Sequence, residues 1–147
     1  EDIKPKNPII IILDNDEGPR SIVNLLNSKK FIGKIEIVSL KPNENGDVRQ
    51  ADFIHVVKNL YVVFTPLING AKKTDIEFFF DDKTRLIKHK NGKFFNTVKN
   101  RDSTKDLSKD SFATHIIKEH KSSIDFNGLK PLLDSMVNVI NHYKENE

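Results

Sequence analysis

The chain has 147 residues, of which 37% are hydrophobic and 31% charged, a balance typical of one folded domain rather than a multidomain or intrinsically disordered protein. Its 24 basic and 21 acidic residues leave a net charge of +3, which permits contact with a polyanion without requiring it. The absence of cysteine excludes disulfides, thiolate zinc sites and cysteine nucleophiles. No apolar run approaches the roughly 20 residues of a membrane span, so we expect a soluble protein that makes no membrane contact. The absence of cysteine favours a cytoplasmic location.

Two short apolar runs predict buried strands. Residues 9–13 form an uninterrupted, mostly β-branched run, typical of a central strand that is buried on both faces of a parallel sheet. Residues 60–64 form the second such run. Between them, Pro19 opens a helical apolar pattern that extends to Leu26. A helix in that position predicts that the two strands lie parallel.

The other patterns complete an α/β fold. They predict an outer strand over 34–40, a short strand or the approach to one over 53–57, a short helix over 75–80, a hairpin over 88–95 that turns at Asn91-Gly92, and helices over 112–120 and from 127 onward. The last helix carries its apolar residues on one stripe that we expect to dock on the sheet: Leu129, Leu132, Leu133, Met136, Val137 and Ile140. The prediction is a mostly parallel sheet with flanking helices, in a single domain over residues 1–147.

Asp14 and Asp16 directly follow the first apolar strand and precede a helix. Open α/β sheets bind their ligands in the crevice at the carboxyl ends of the strands. Two carboxylates there suit a hard cation such as Mg²⁺, which prefers oxygen ligands. In the alternative interpretation, Asp14 hydrogen-bonds the turn and Asp16 caps the helix. The spacing leaves both interpretations open.

Glu77 stands among phenylalanines after the second apolar strand. An apolar setting suits a carboxyl group to proton transfer, whereas a nearby cation holds it ionised as a ligand. The alternative is a surface glutamate on a helix whose phenylalanines form the core.

Lysines cluster along the middle of the chain and suit a phosphate backbone: Lys72, Lys73, Lys88, Lys90 and Lys93. In a lysine-rich protein, the alternative is a solvated face. The five histidines show no metal-ligand spacing and are predicted to be structural.

Two parts of the sequence resemble known families. Residues 9–18, IIIILDNDEG, resemble the strand and Asp-x-Asp loop of Toprim domains, the metal-binding fold of topoisomerases, primases and several nucleases. Residues 59–66, 76–81, 92–95, 112–113 and 124–133, in that order, resemble the carboxy-terminal extension of certain retron-type bacterial reverse transcriptases, which are RNA-directed DNA polymerases. This resemblance implies a carboxy-terminal fragment whose polymerase domain lies upstream, and the non-Met start agrees with it.

The resemblance also implies a Toprim-like, that is Rossmann-like, fold in which Asp14 and Asp16 bind Mg²⁺ or Mn²⁺ for phosphodiester cleavage or transfer on DNA or RNA. Toprim domains carry a catalytic glutamate on a strand before the Asp-x-Asp strand, and only seven residues precede Pro8 here. Glu77 is the predicted replacement, because overcoming lysogenization defect nucleases have a comparable Ile-Glu followed by aromatic positions. Otherwise the glutamate lies upstream, or activity has been lost. The competing function is a non-catalytic nucleic-acid-binding or scaffold module of the same polymerase.

Overall fold

The computed structural model describes residues 5–40, 43, 46–96, 102 and 104–146. The chain divides into two compact units. The sheet unit comprises Glu1–Asp75 and Pro131–Glu147, and the helical unit comprises Ile76–Lys130.

Besides the short 3₁₀ helix Val48–Gln50, the described part of the sheet unit contains four strands and two α-helices in an α/β arrangement. In chain order they are β1 (Ile9–Leu13), α1 (Arg20–Leu26), β2 (Glu36–Val38), β3 (Phe53–Val57), β4 (Leu60–Phe64) and, in its last segment, the helix Lys130–Glu145, which begins at the unit boundary. The strand order across the sheet is β1-β4-β3-β2. The predicted outer strand over 34–40 is confirmed as β2, at one edge of this order.

The predicted parallel pairing of the two apolar strands is confirmed. β1 and β4 run parallel, with Ile9 opposite Leu60 and Leu13 opposite Phe64. The other two pairings, β4 with β3 and β3 with β2, are antiparallel, so the prediction of a mostly parallel sheet is wrong. Only Lys58 and Asn59 separate β3 from β4, and so short a turn joins antiparallel strands alone.

The central position predicted for the first strand is also wrong. β1 lies at an edge of the sheet, and Ile9, Ile11 and Ile12 are exposed by 56%, 40% and 36%. Its continuous apolar pattern is typical of a central strand, which has a neighbouring strand on each side and both faces buried. Among the described residues, β1 has a neighbouring strand on one side, which is β4.

Each face of the sheet has its own core. On one face, Val23 and Leu26 of α1 pack with Val48, Ile54, Val62 and Phe64. On the other face, Leu132, Val139 and Tyr143 of the carboxy-terminal helix pack with Phe53, Tyr61 and Val63. The sheet is therefore the middle of three layers.

The carboxy-terminal helix docks on the sheet as predicted, but through a different stripe. Its buried residues are Leu132, Ser135, Val139 and Tyr143. Leu133 and Val137, which belong to the predicted stripe, are each 52% exposed. Several apolar residues on this helix fit more than one face, and packing against β4 and β3 selects the face that is buried.

The helical unit is built from short helices. The 3₁₀ segment Ile76–Phe79 lies within the predicted helix over 75–80, and α2 (Asp82–Arg85) follows it. Next, α3 (Lys109–Phe112) continues through the π-helical segment Ala113–Ile117 into α4 (Lys118–His120), and the 3₁₀ segment Asn127–Leu129 leads into the long helix, numbered α5. The core of this unit consists of Phe80, Phe95, Leu107, Phe112, Ile116 and Ile124.

The hairpin predicted over 88–95 does not form. The turn itself is present: Gly92 adopts a φ of 80°, and His89 N donates to Lys93 O at 2.8 Å. The segments that flank this turn form no strands with each other, and Phe94 instead bridges to Asp106. The dipeptide Asn91-Gly92 therefore determines the turn but not the strands around it.

Within the described residues, no helix combines the length and the apolar character that crossing a bilayer requires.

Candidate functional site

The loop that carries Asp14 and Asp16 is anchored through the residue between them. Asn15 is 1% exposed, and its backbone N donates to Thr65 Oγ1 at 2.8 Å. Asn15 also forms an antiparallel bridge with Thr74, and its side-chain amide donates to Arg49 O at 2.7 Å. The end of β1 is thus held to the end of β4, and both aspartates are half-buried on either side of the anchor.

Asp16 closes the turn after β1. Its Oδ1 accepts a hydrogen bond from Gly18 N at 2.7 Å. The helix that follows has Pro19 at its N-cap and no side-chain cap. The predicted alternative in which Asp16 caps the helix is therefore wrong, although the carboxylate does have a local structural role. Its second oxygen remains a chemically suitable metal ligand.

Glu17 adds a third negative charge to this loop, and two cations pair with it. Lys73 Nζ lies 2.9 Å from Glu17 Oε1, and Arg20 lies 2.7 Å from Oε2. Hydrogen bonds from Lys73 and then Arg20 lower the pKa of Glu17 to about 2. Lys73, which is a predicted nucleic-acid ligand, is here the ion-pair partner of the acidic loop, and Lys72 beside it is also exposed.

Glu77 lies in the helical unit, on the 3₁₀ segment Ile76–Phe79. Its side chain is 14% exposed, and its Oε2 lies 2.9 Å from Lys109 Nζ. The carboxylate is thus mostly buried and forms an ion pair with a lysine. Asp14 and Asp16 belong to the sheet unit, so the convergence of the three carboxylates stays a prediction. Inside each unit, the described residues contain no group of three histidines, aspartates or glutamates arranged to hold a metal ion.

The helical unit contains a cavity of about 460 Å³ that we name the imidazole cavity. All of its lining residues except Leu107 carry a polar side chain: His89, Asn91, Lys93, Asp106, Ser108, Ser111 and His115. The rings of His89 and His115 lie 4.6 Å apart, centroid to centroid. The His89 Nδ1 atom is buried and, among the described residues, has no hydrogen-bond partner.

Hydroxyl groups lie at one side of the imidazole cavity. Ser108 caps the helix that begins at Lys109, accepting from Ser111 N at 3.1 Å and donating to Ser111 Oγ at 2.9 Å. The negative charge in the lining is Asp106, which is 8% exposed and whose Oδ2 accepts from Asp102 N at 2.8 Å. The cavity thus presents hydroxyls, imidazoles and an ammonium group, with one carboxylate that already accepts a backbone hydrogen bond.

Three predicted nucleic-acid ligands lie on the turn that borders this cavity. Lys88 and Lys90 are exposed, and Lys93 lines the cavity wall. Sequence reasoning did not connect this lysine cluster with His89 or His115. The two histidines are far apart along the chain, and the only local signal was the position of His89 between Lys88 and Lys90.

His55 and His142 occupy a separate polar network in the sheet unit. Tyr61 Oη lies 3.1 Å from His142 Nδ1, and His142 Nε2 lies 3.1 Å from Glu36 Oε2. The ring of His55 stacks on Tyr61 at 4.7 Å. Burial, followed by the charge of Glu36, raises the pKa of Tyr61. This network joins α5 to β2, β3 and β4, in keeping with the predicted structural role of these two histidines.

No protein-family model matches this chain, and no solved structure matches it.

Proposed function

We propose that this chain is a nucleic-acid-binding module that holds backbone phosphates at the imidazole cavity and along the neighbouring lysines. The proposal rests on one observation: His89, His115 and Lys93 line the same cavity, and the exposed Lys88 and Lys90 lie beside it.

The chemistry of the lining matches a phosphate group. Phosphate oxygens accept hydrogen bonds from hydroxyls, imidazole N–H groups and ammonium groups, and the charged donors make the strongest of these bonds. Ser111, His115 and Lys93 present these donor types to a single space. A strand whose phosphate occupies that space would pass the exposed Lys88 and Lys90, which add the sequence-independent attraction of a basic surface.

The resemblance to retron-type reverse transcriptases supports the same ligand class. As the carboxy-terminal part of such an RNA-directed DNA polymerase, the module would hold the RNA template or the DNA product beside an upstream polymerase domain. We propose this context on the sequence resemblance alone.

Salt-dependent binding of single-stranded DNA and RNA tests the proposal. The triple variant Lys88→Ala, Lys90→Ala, Lys93→Ala removes three positive charges. A plot of log association constant against log salt concentration is then expected to become less steep by about 2, since each neutralised phosphate of a single strand contributes roughly 0.7 to the steepness. The imidazole NMR signals of His89 and His115 are expected to shift on addition of inorganic phosphate.

A matched control removes the same charge from the sheet unit. Lys29, Lys30 and Lys34 are also exposed, and their replacement by alanine also removes three positive charges. An equal fall in slope for both triple variants would show that only net charge matters. If inorganic phosphate shifted neither the His89 nor the His115 NMR signal, the imidazole cavity would be excluded as the phosphate-binding site.

A second candidate function is Mg²⁺-dependent phosphoryl transfer, with Mn²⁺ as the alternative metal. The observation that favours it is the parallel pairing of β1 and β4, with Asp14 and Asp16 following the carboxyl end of β1. In this proposal Asp14, Asp16 and Glu77 would hold the ion, which would supply activation of water and neutralisation of charge on the phosphate.

Metal titration and cleavage assays test this candidate. Asp14→Asn is expected to abolish both Mg²⁺ binding and any cleavage of DNA or RNA. Glu145→Gln, which removes one charge at the exposed end of α5, is the control and is expected to change neither. If nucleic-acid binding persists in chelator and survives Asp14→Asn, and no cleavage occurs with Mg²⁺ or Mn²⁺, the phosphoryl-transfer candidate is wrong and the binding module stands.

A further inference from the structure

The outer edge of β1 carries backbone groups that no described residue pairs. Ile9 N donates to Asn59 O at 2.7 Å, and Thr65 N donates to Leu13 O at 2.8 Å, so the odd-numbered residues of β1 bond to β4. In a parallel pair of strands, the alternate residues point their N–H and C=O groups away from the partner strand. The backbone groups of Ile10 and Ile12 therefore face the open edge.

This edge lacks the features that normally prevent strand pairing. Exposed edge strands usually carry charged residues, a proline or a bulge. β1 consists only of isoleucine and leucine, and Ile9, Ile11 and Ile12 are substantially exposed. Both the unpaired backbone and the apolar side chains suit the addition of another strand.

We propose that the partner at this edge is a second copy of the chain, paired antiparallel through β1 about a two-fold axis at Ile11. In this register, Ile10 of one copy lies opposite Ile12 of the other. Because both residues face outward, each of the two Ile10–Ile12 pairs exchanges two N–H···O bonds. Ile11 lies opposite its own counterpart, and Ile9 lies opposite Leu13.

The flanking residues select this register. A shift by two residues in one direction pairs Ile12 with Pro8, which has no N–H to donate. A shift in the other direction brings Asp14 opposite Ile10 and places a carboxylate in the apolar seam. The two-fold axis centred on Ile11 instead keeps Pro8 and Asp14 at the ends of the paired segment.

A cavity beside the edge accommodates the second strand. It measures about 420 Å³ and lies next to Ile10, Ile140 and Tyr143, with Lys6 and Lys144 also lining it. Ile12 of the second copy lies opposite Ile10 and on the same face of the sheet, so its side chain enters this cavity. The antiparallel arrangement also brings the acidic loop that follows β1 in the second copy toward Lys6, which precedes β1 and lines the cavity, and this charge complementarity favours a second copy as the occupant.

The oligomeric state of the 147-residue chain tests the proposal. Analytical ultracentrifugation from micromolar to millimolar concentration is expected to show a monomer–dimer equilibrium. Ile11→Lys and Ile11→Glu each place like charges opposite one another at the two-fold axis and are each expected to weaken the dimer more than about tenfold. An equimolar mixture of the two variants is expected to restore dimers, because the opposed charges are then complementary.

Leu133→Lys provides the matched control, since Leu133 is 52% exposed on α5 and lies outside the proposed seam. This variant is expected to dimerise like the wild type, and circular dichroism verifies that all three variants fold. A wild type that stays monomeric throughout, or a dimer that Ile11→Lys leaves intact, would overturn the proposal. A mixture of the two Ile11 variants that remains monomeric would also contradict it.

Discussion

Thr65 connects the acidic loop to the sheet, and its removal gives a measurable prediction. Its side chain is completely buried at the end of β4. With its single proton, Thr65 Oγ1 makes two hydrogen bonds: it accepts from Asn15 N at 2.8 Å and donates to Thr74, whose O and Oγ1 both lie 2.9 Å away. Thr65→Val keeps the shape and the β-branch of the side chain but removes both of these hydrogen bonds.

The expected cost follows from those two bonds. Each contributes about 1 kcal/mol net, so Thr65→Val is expected to lower the free energy of unfolding of the sheet unit by about 2 kcal/mol. With a urea m-value of roughly 2 kcal/mol/M for a small unit, the midpoint falls by about 1 M. Tyrosine fluorescence is the appropriate probe, because the two tyrosines of the chain, Tyr61 and Tyr143, both lie in the sheet unit.

Thr114→Val is the control for the chemical change alone. Thr114 is exposed, and its hydroxyl donates to Asp110 O at 2.8 Å within the helical unit. Loss of this solvated bond is expected to change stability by less than about 0.5 kcal/mol. If Thr65→Val shifted the urea midpoint no more than Thr114→Val does, the buried hydroxyl would not hold the loop, and the anchoring of Asp14 and Asp16 described above would be wrong.

Two further predictions concern backbone packing and pH. A Cβ on Gly128 would lie 1.9 Å from Phe79 O, so Gly128→Ala is expected to destabilise the helical unit by about 3 kcal/mol or more in urea unfolding followed by NMR. A Cβ on Gly33 would meet no atom within 4 Å, so Gly33→Ala adds only the strain of a φ of +74° and should lower the free energy of unfolding by about 1 kcal/mol. Equal losses of stability in the two variants would refute the steric explanation. The lowered pKa of Glu17 means that its ionised form stabilises the fold above its ordinary pKa of 4.5 and that this contribution disappears as pH falls through about 2. An NMR titration of the Glu17 carboxyl carbon should give a midpoint near 2 in the wild type and a higher one in Lys73→Ala, and a wild-type midpoint near 4.5 would contradict the ion pairs.

Local patterns determined the strands and the turns of this protein. The apolar runs at residues 9–13 and 60–64 coincide with β1 and β4, and the helix between them predicted their parallel pairing correctly. The turn at Asn91-Gly92 was likewise predictable, because glycine tolerates the positive φ that the turn requires. Each of these features depends on residues that are close together in the chain.

The tertiary structure alone decided which elements became neighbours. An apolar pattern identifies residues that are able to be buried but does not identify what buries them, so β1 appeared central although it lies at the edge. For the same reason, the buried stripe of α5 depends on its contacts with the sheet. His89 and His115 face one cavity only because the fold of the helical unit brings two distant segments together, and such long-range packing leaves no periodic signal in the sequence.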